Sequence, residues 1–285
     1  MVAARQPPAP EGDLVLDAAE PVITAEIAGV PLRLRVDLDQ QDSIELNPAA
    51  AARLPVTWEN GFAMDVGRVR LESRVAAAEL HVAGRTLLSR VSEHGRDCCT
   101  GVDGAIGSDL LPYASVRWRR ADAPPATGTL PLPLEADPSK GLSARSDVEG
   151  LRLRFALAQP ISVGTAAAGA ILARLWQGRW SGTAGHITLA FGVSRPARSM
   201  AFARPAVLAD FRFDQLQVRI SDFAGDEKLP VDPSRAEDVV ISHRLSRQQA
   251  WPAVTIGADR LSRCTEIVYY AVPRSLALRC AFDGP

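Results

Sequence analysis

Three carboxylates lie within six residues at Asp37, Asp39 and Asp42, in the run LRLRVDLDQQDS. Carboxylates set this close can work as a paired acid and base, because two that share a site cannot both ionise and hold one proton between them. The cluster reads either as a catalytic or metal-binding site or as a solvated loop; a site using Asp37 with Asp39 needs both carboxylates to face one substrate atom, which strand alternation allows but does not require. The spacing lacks the central glycine and distal glutamate of a calcium loop, so no metal is expected there. His81, His94, His186 and His243 are dispersed, with none of the i, i+3 or i, i+4 pairs that place metal ligands together on a helix. No Gly-x-Ser-x-Gly elbow is present, and Gly182, Gly185 and Gly192 in RWSGTAGHITLAFG fit neither a dinucleotide fingerprint nor a phosphate loop, so they read as a hairpin turn. No cofactor is expected.

The elements that must position these groups read as strands. VITAEIAGVPLRLRVDL gives two alternating strands around a turn at Gly29-Val30-Pro31, with Leu32, Leu34, Val36 and Leu38 on one face. Asn47 suits a helix N-cap and Pro48 the first turn of the short helix AAAARL. Strands follow at VGRVRLES and at VAAAELHVAGRTLLSRV, which bends at Ala83-Gly84-Arg85. The fold class is all-β with short helices. Trp176 and Trp180, four apart, suit either the walls of a peptide groove or packing between strands, and Arg117, Arg119 and Arg120 around Trp118 suit a solvated strand face.

An internal repeat is visible. Gly107-Ser-Asp-Leu-Leu111 recurs as Gly257-Ala-Asp-Arg-Leu261, an offset of 257 − 107 = 150 residues, with Ser108 matched by Ala258. Laying LRLRVDLDQQDSIELNPAAAARL without gaps on ITLAFGVSRPARSMAFARPAVLA sets Gly192 opposite Asp37 and expects a second Ala-rich helix near Pro205. Between the copies, residues 121–150 are rich in proline. The expected organisation is a flexible segment over 1–13, a first lobe over 14–122, a Pro-rich linker over 123–149 and a second lobe over 150–285.

Composition narrows the function classes. Of 285 residues, 47% are hydrophobic and 23% charged, the balance of a folded globular chain. The formal charge is −1, so no basic field is available for nucleic acid. No apolar run reaches the length of a membrane-spanning helix. Cys264 and Cys280 bracket two strand-like runs that a hairpin could bring within bonding range, which would imply export, whereas Cys98 and Cys99 are merely adjacent. A periplasmic or exported location is favoured over the cytoplasm, with four free cytosolic thiols as the alternative.

Together, the strand into Asp37, the helix NPAAAARL and the motif VDGAIGSDLL resemble the retropepsin-like aspartic peptidase family, in its two-lobed bacterial form. The resemblance implies two tandem lobes forming a pseudo-dimer around a central cleft, with an Asp-Thr/Ser-Gly loop from each lobe supplying one catalytic carboxylate. This sequence departs from that pattern. Leu38 and Asp39 follow Asp37 where the hydroxyl residue and glycine belong, and Gly192-Val193-Ser194 stands at the second loop. The expectation is therefore a catalytically degenerate protein that binds an extended peptide or partner segment in the interlobe cleft. The alternatives are an active endopeptidase using Asp37 with an acid supplied by a homodimer or by another residue, and a purely structural exported β-protein.

Overall fold

The computed structural model describes residues 11–66, 69–137, 140–226, 228–230 and 250–283. His243 and residues 1–10 of the expected flexible segment lie outside them. The first half of the chain comprises β1 (Asp13–Asp17), β2 (Val22–Ile27), β3 (Val30–Asp37), β4 (Ile44–Leu46), helix α1 (Pro48–Ala51), β5 (Glu59–Asn60), β6 (Met64–Val66), β7 (Val69–Leu71), β8 (Arg74–Val82), β9 (Arg85–Glu93), β10 (Gly104–Gly107) and β11 (Ser115–Arg119). The second half comprises β12 (Gly128–Asp137), β13 (Gly141–Arg145), β14 (Arg152–Phe155), β15 (Val163–Gly164), α2 (Ala166–Trp176), β16 (Arg179–Thr188), β17 (Ser194–Leu208), β18 (Phe211–Arg219), β19 (Ala253–Ile256), α3 (Ala258–Leu261), β20 (Cys264–Tyr270) and β21 (Ser275–Cys280). The protein is mostly β with short helices.

Local chemistry explains the first hairpin. Ala28 and Gly29 both take positive φ, 49° and 79°, which closes β2 onto β3 in a two-residue turn whose twist matches the strands. Leu32, Leu34 and Val36 alternate inward from β3 and are buried, while Arg33 and Arg35 point to the other face. Seven strands pair in the order β2-β3-β10-β4-β9-β8-β5, and β2 pairs with β8 as well, bending this sheet back on itself.

The second sheet has twelve strands, ordered β1-β11-β20-β21-β12-β13-β14-β19-β15-β18-β17-β16. It takes strands from both halves, which meet where β11 runs antiparallel to β20. Trp118, in register with Leu16 and Ile267 on either side, is fully buried there. Within the expected Pro-rich linker over 123–149 lie β12 and β13, because Leu130 and Leu132 pack on the core and β12 pairs with β21 on one side and β13 on the other. One expectation is corrected by this sheet. The Ala-rich run around Pro205 is not helical but part of β17, whose register with β18 shifts between Ala201 and Ala206 to accommodate the proline.

The actual helix of the second half is α2, an Ala-rich segment capped by Thr165, whose hydroxyl accepts the Ala168 amide. Cys264 and Cys280 are paired residues of β20 and β21 and are joined as a disulfide. Cys98 and Cys99 form a second, vicinal disulfide. Among the described residues no helix is long and apolar enough to cross a membrane, and no group of three or more His, Cys, Asp or Glu side chains could hold a metal ion.

Candidate functional site at the paired loops

Asp37 ends β3, where it lies beside Gly107 in the parallel β3·β10 pair. Two residues earlier on the same strand face, Arg35 reaches back and binds it in a fork, with Nε donating to Oδ1 at 2.7 Å and Nη2 to Oδ2 at 2.9 Å. The carboxylate is only 15% exposed. Burial raises its pKa above the ordinary carboxylate value, Arg35 draws it back down, and the charge of Asp39 pushes it up again. Burial is the largest influence on Arg35 and works against its charge, but the bond to Asp37 and the charges of Asp37 and Asp39 together outweigh it and hold the guanidinium above its usual pKa.

Asp39 turns to the second half of the chain and accepts a bond from Arg154 Nη2 on β14 at 2.8 Å. Its carbonyl accepts the Leu142 amide of β13, and a Cβ on Gly141, whose φ is +77°, would stand 2.2 Å from that oxygen. The aspartate loop thus docks on β13 and β14. Because the Asp39–Arg154 pair is 24% and 29% exposed, its coupling free energy in a double-mutant cycle of Asp39→Ala and Arg154→Ala is expected to be about 1 kcal/mol. Strict additivity in chemical denaturation would show that the pair does not join the halves.

The pairing pattern identifies the counterpart of this loop. β14 runs parallel to β19 as β3 does to β10, and β15 runs antiparallel to β19 as β4 does to β10. In each half a helix follows, and a hairpin strand, β9 or β18, runs parallel to the short strand. Since Phe155 pairs with Ile256, the residue beside Gly257 is Ala156, as Asp37 is beside Gly107. Gly192 is not opposite Asp37. It sits at φ +65° in the turn between β16 and β17, a hairpin at the sheet edge with no parallel neighbour at that point. Of the three glycines expected in a hairpin turn, Gly192 is in that turn, whereas Gly182 and Gly185 belong to β16, whose register with β17 shifts between Ser181 and Gly185.

The true correspondence was visible in the sequence. LRLRVDLDQQDS (32–43) and LRLRFALAQPIS (151–162) share seven of twelve residues at an offset of 151 − 32 = 119. The offset at the glycine motif is 150, so the second half carries 150 − 119 = 31 more residues between loop and motif, which a gapless comparison of the two copies cannot follow. Arg35 corresponds to Arg154, and Asp37 and Asp39 correspond to Ala156 and Ala158. One half therefore supplies both carboxylates, and the two repeat-related arginines each bind one.

Gly107 and Gly257 have matching roles. A Cβ on Gly107 would lie 2.7 Å from the Gln40 carbonyl oxygen, and one on Gly257 would lie 2.7 Å from the carbonyl oxygen of Gln159, the residue matching Gln40. The aspartates of the two motifs brace the same loops. Asp109 accepts the Asp42 amide at 3.2 Å, and Asp259 accepts the Ser162 hydroxyl at 2.8 Å. Burial raises the Asp109 carboxyl above its ordinary pKa, opposed by the Asp42 amide. Ser108 is buried at the start of its turn, consistent with a structural place.

Other singled-out residues are structural. Trp176 packs against the core, and Trp180 donates to the Pro230 carbonyl at 2.7 Å under the Arg198 guanidinium. Arg117 and Arg119 are ion-paired to Asp13 and Glu266. His81 meets the Thr86 hydroxyl across the β8–β9 pair, and His186 lies on β16. One cluster went unnoticed in the sequence because its members are 49 residues apart: His94 Nδ1 lies 2.9 Å from Glu45 Oε1, with both side chains 8% exposed.

Chemically, a carboxylate held by one guanidinium through both oxygens has its charge balanced and its orientation fixed by that fork, and has less acceptor capacity left for a water. Arg35 faces Asp37 and Arg154 faces Asp39, so each carboxylate has its own guanidinium. The arrangement fits a charge-matched joint between the halves better than an acid–base pair.

No family model matches the chain, and no curated protein matches it in sequence. Among solved structures, a retropepsin, the EIAV protease complexed with the inhibitor HBY-793, is similar at 18% identity with a TM-score of 0.27, over 32% of this chain and 84% of that one.

Proposed function

We propose that this chain is an aspartic-peptidase-like protein without peptidase activity that holds an extended polypeptide segment of a partner. The observation that carries the inactive half of this reading is Ala156 at the place related to Asp37, together with the Arg35 fork that occupies both Asp37 oxygens. An intramolecular dyad needs an acid from each half, and only one half has them.

The binding half rests on the sheet edge. β16 ends the twelve-stranded sheet and is exposed along most of its length, so its outer backbone groups can accept an added strand. The space between the halves is a poorer seat, because Asp39 and Arg154 bridge it on one side and Leu71, Phe191 and Val193 pack together across it on another.

Unfolded, cysteine-free polypeptide titrated into the purified chain, with complex formation and product mass followed together, tests both halves. The expected result is a saturable complex that cross-links to residues 179–188 and yields no fragments. Absence of a complex, or cross-links confined to other strands, contradicts the binding half, and fragments contradict the inactive half.

A further inference from the structure

The vicinal Cys98–Cys99 disulfide occupies a position that the proposed function does not use. Both cysteines of the pair are bonded by the side chain of Asn47. The side chain of Asn47, at the N-cap position of α1, makes no bond to its own helix; its Oδ1 accepts the amides of Cys98 at 2.9 Å and Cys99 at 3.3 Å, and its Nδ2 donates to the carbonyls of Cys99 at 2.7 Å and Val102 at 2.9 Å. The Cys98 sulfur lies 3.6 Å from the Glu45 carbonyl oxygen, beside the Glu45–His94 pair.

The two sulfurs differ in access. Cys99 is 3% exposed, whereas Cys98 is half-buried with Arg96, Asp97 and Thr100 exposed around it. The Cys98 side chain also packs on the small apolar cluster of Leu71 from β7 with Phe191 and Val193 from the β16–β17 turn. Phe191 is held at φ +58° and meets the His94 ring at a tilt of 47°, with ring centroids 4.9 Å apart. This cluster is a clasp between the hairpin β6–β7 of the first half and the edge hairpin of the second. Cys264 and Cys280, by contrast, are 2% and 0% exposed inside the shared sheet.

From this placement we infer that Cys98–Cys99 is a thiol–disulfide exchange site whose redox state sets the grip of the clasp. A dithiol reductant attacks through one thiolate at the accessible Cys98 sulfur, forming a mixed disulfide and expelling Cys99 as a thiolate that takes up a proton. The second thiol of the reductant then attacks its own linked sulfur, closes the reductant's disulfide and releases Cys98 as a thiol. Two electrons and two protons pass to the protein, and the reductant is oxidised by the same amount. Opening the ring formed by adjacent residues frees the Cys98 side chain from the geometry in which it supports Phe191 and Leu71. The inference does not depend on peptide binding or on the absence of catalysis.

The test uses the full native chain. It is exposed to dithiothreitol, alkylated over time and digested, and hydrogen exchange is measured on the peptides carrying Leu71 and Phe191 before and after reduction. Cys98 and Cys99 are expected to alkylate at least about tenfold faster than the buried pair. Exchange in both peptides should rise several-fold on reduction. A Cys98→Ser/Cys99→Ser variant should show the raised exchange without reductant and no further change with it. Equal alkylation of the two cysteine pairs overturns the exchange site. Selective alkylation with unchanged exchange in wild-type protein overturns the link to the clasp, whether or not the variant folds.

Discussion

A Trp118→Ala substitution is expected to remove about 3–5 kcal/mol of unfolding free energy, the range for deleting a large buried aromatic side chain. Trp118 has no exposed surface and lies on β11, the strand through which the first half enters the shared sheet. Its ring is flanked in register by Leu16 of β1 and Ile267 of β20, so the cavity opens where strands from the beginning, middle and end of the chain meet. No local rearrangement can close it without moving β1 or β20. Urea denaturation followed by fluorescence and by circular dichroism should show one lowered midpoint by both probes. A loss below about 1 kcal/mol would mean that the two halves are not joined through this sheet.

Gly107→Ala and Gly257→Ala are each expected to cost about 1–3 kcal/mol, and by similar amounts. Neither glycine sits at positive φ, so the cost is steric: the added methyl of each would meet a loop carbonyl oxygen at 2.7 Å, and backbone at that distance cannot rotate away as a side chain can. Gly185→Ala provides the control, because nothing lies within 4 Å of its Cβ position, and its effect should stay within about 0.5 kcal/mol. Comparable losses at 107 and 257 with a silent control would support equivalent roles in the two halves. A large effect at one site alone would break the symmetry.

Much of this fold is legible in the residues. Alternation in LRLRVDL places three buried side chains on one face of β3, and the two glycine motifs point to two copies of one arrangement. The second loop was harder to place, because alanines stand at its aspartate positions and 31 more residues separate it from its glycine motif; the match of LRLRFALAQPIS to LRLRVDLDQQDS marks it, and pairing of β14 with β19 agrees. Proline content misleads over residues 128–137: Pro131 and Pro133 still sit in β12, flanked by leucines that pack on the core. Asn47 shows the limit of local rules, since its type suits a cap but its side chain is taken by a loop more than fifty residues away. The Arg35 fork was within reach of the sequence, as residues i and i+2 of a strand share a face, and an arginine two residues before a candidate catalytic aspartate is a warning against free acid–base chemistry.

The central claim is that Asp37 is a salt-bridged structural residue without a partner acid. Its most direct test is an assay of purified protein on unfolded polypeptide from about pH 3 to 7, the span over which carboxyl pairs share a proton, beside an Asp37→Asn variant. The account predicts no cleavage above the level of Asp37→Asn at any pH. Cleavage by the wild-type chain that disappears in Asp37→Asn would contradict it and make Asp37 a catalytic residue with a second acid from elsewhere.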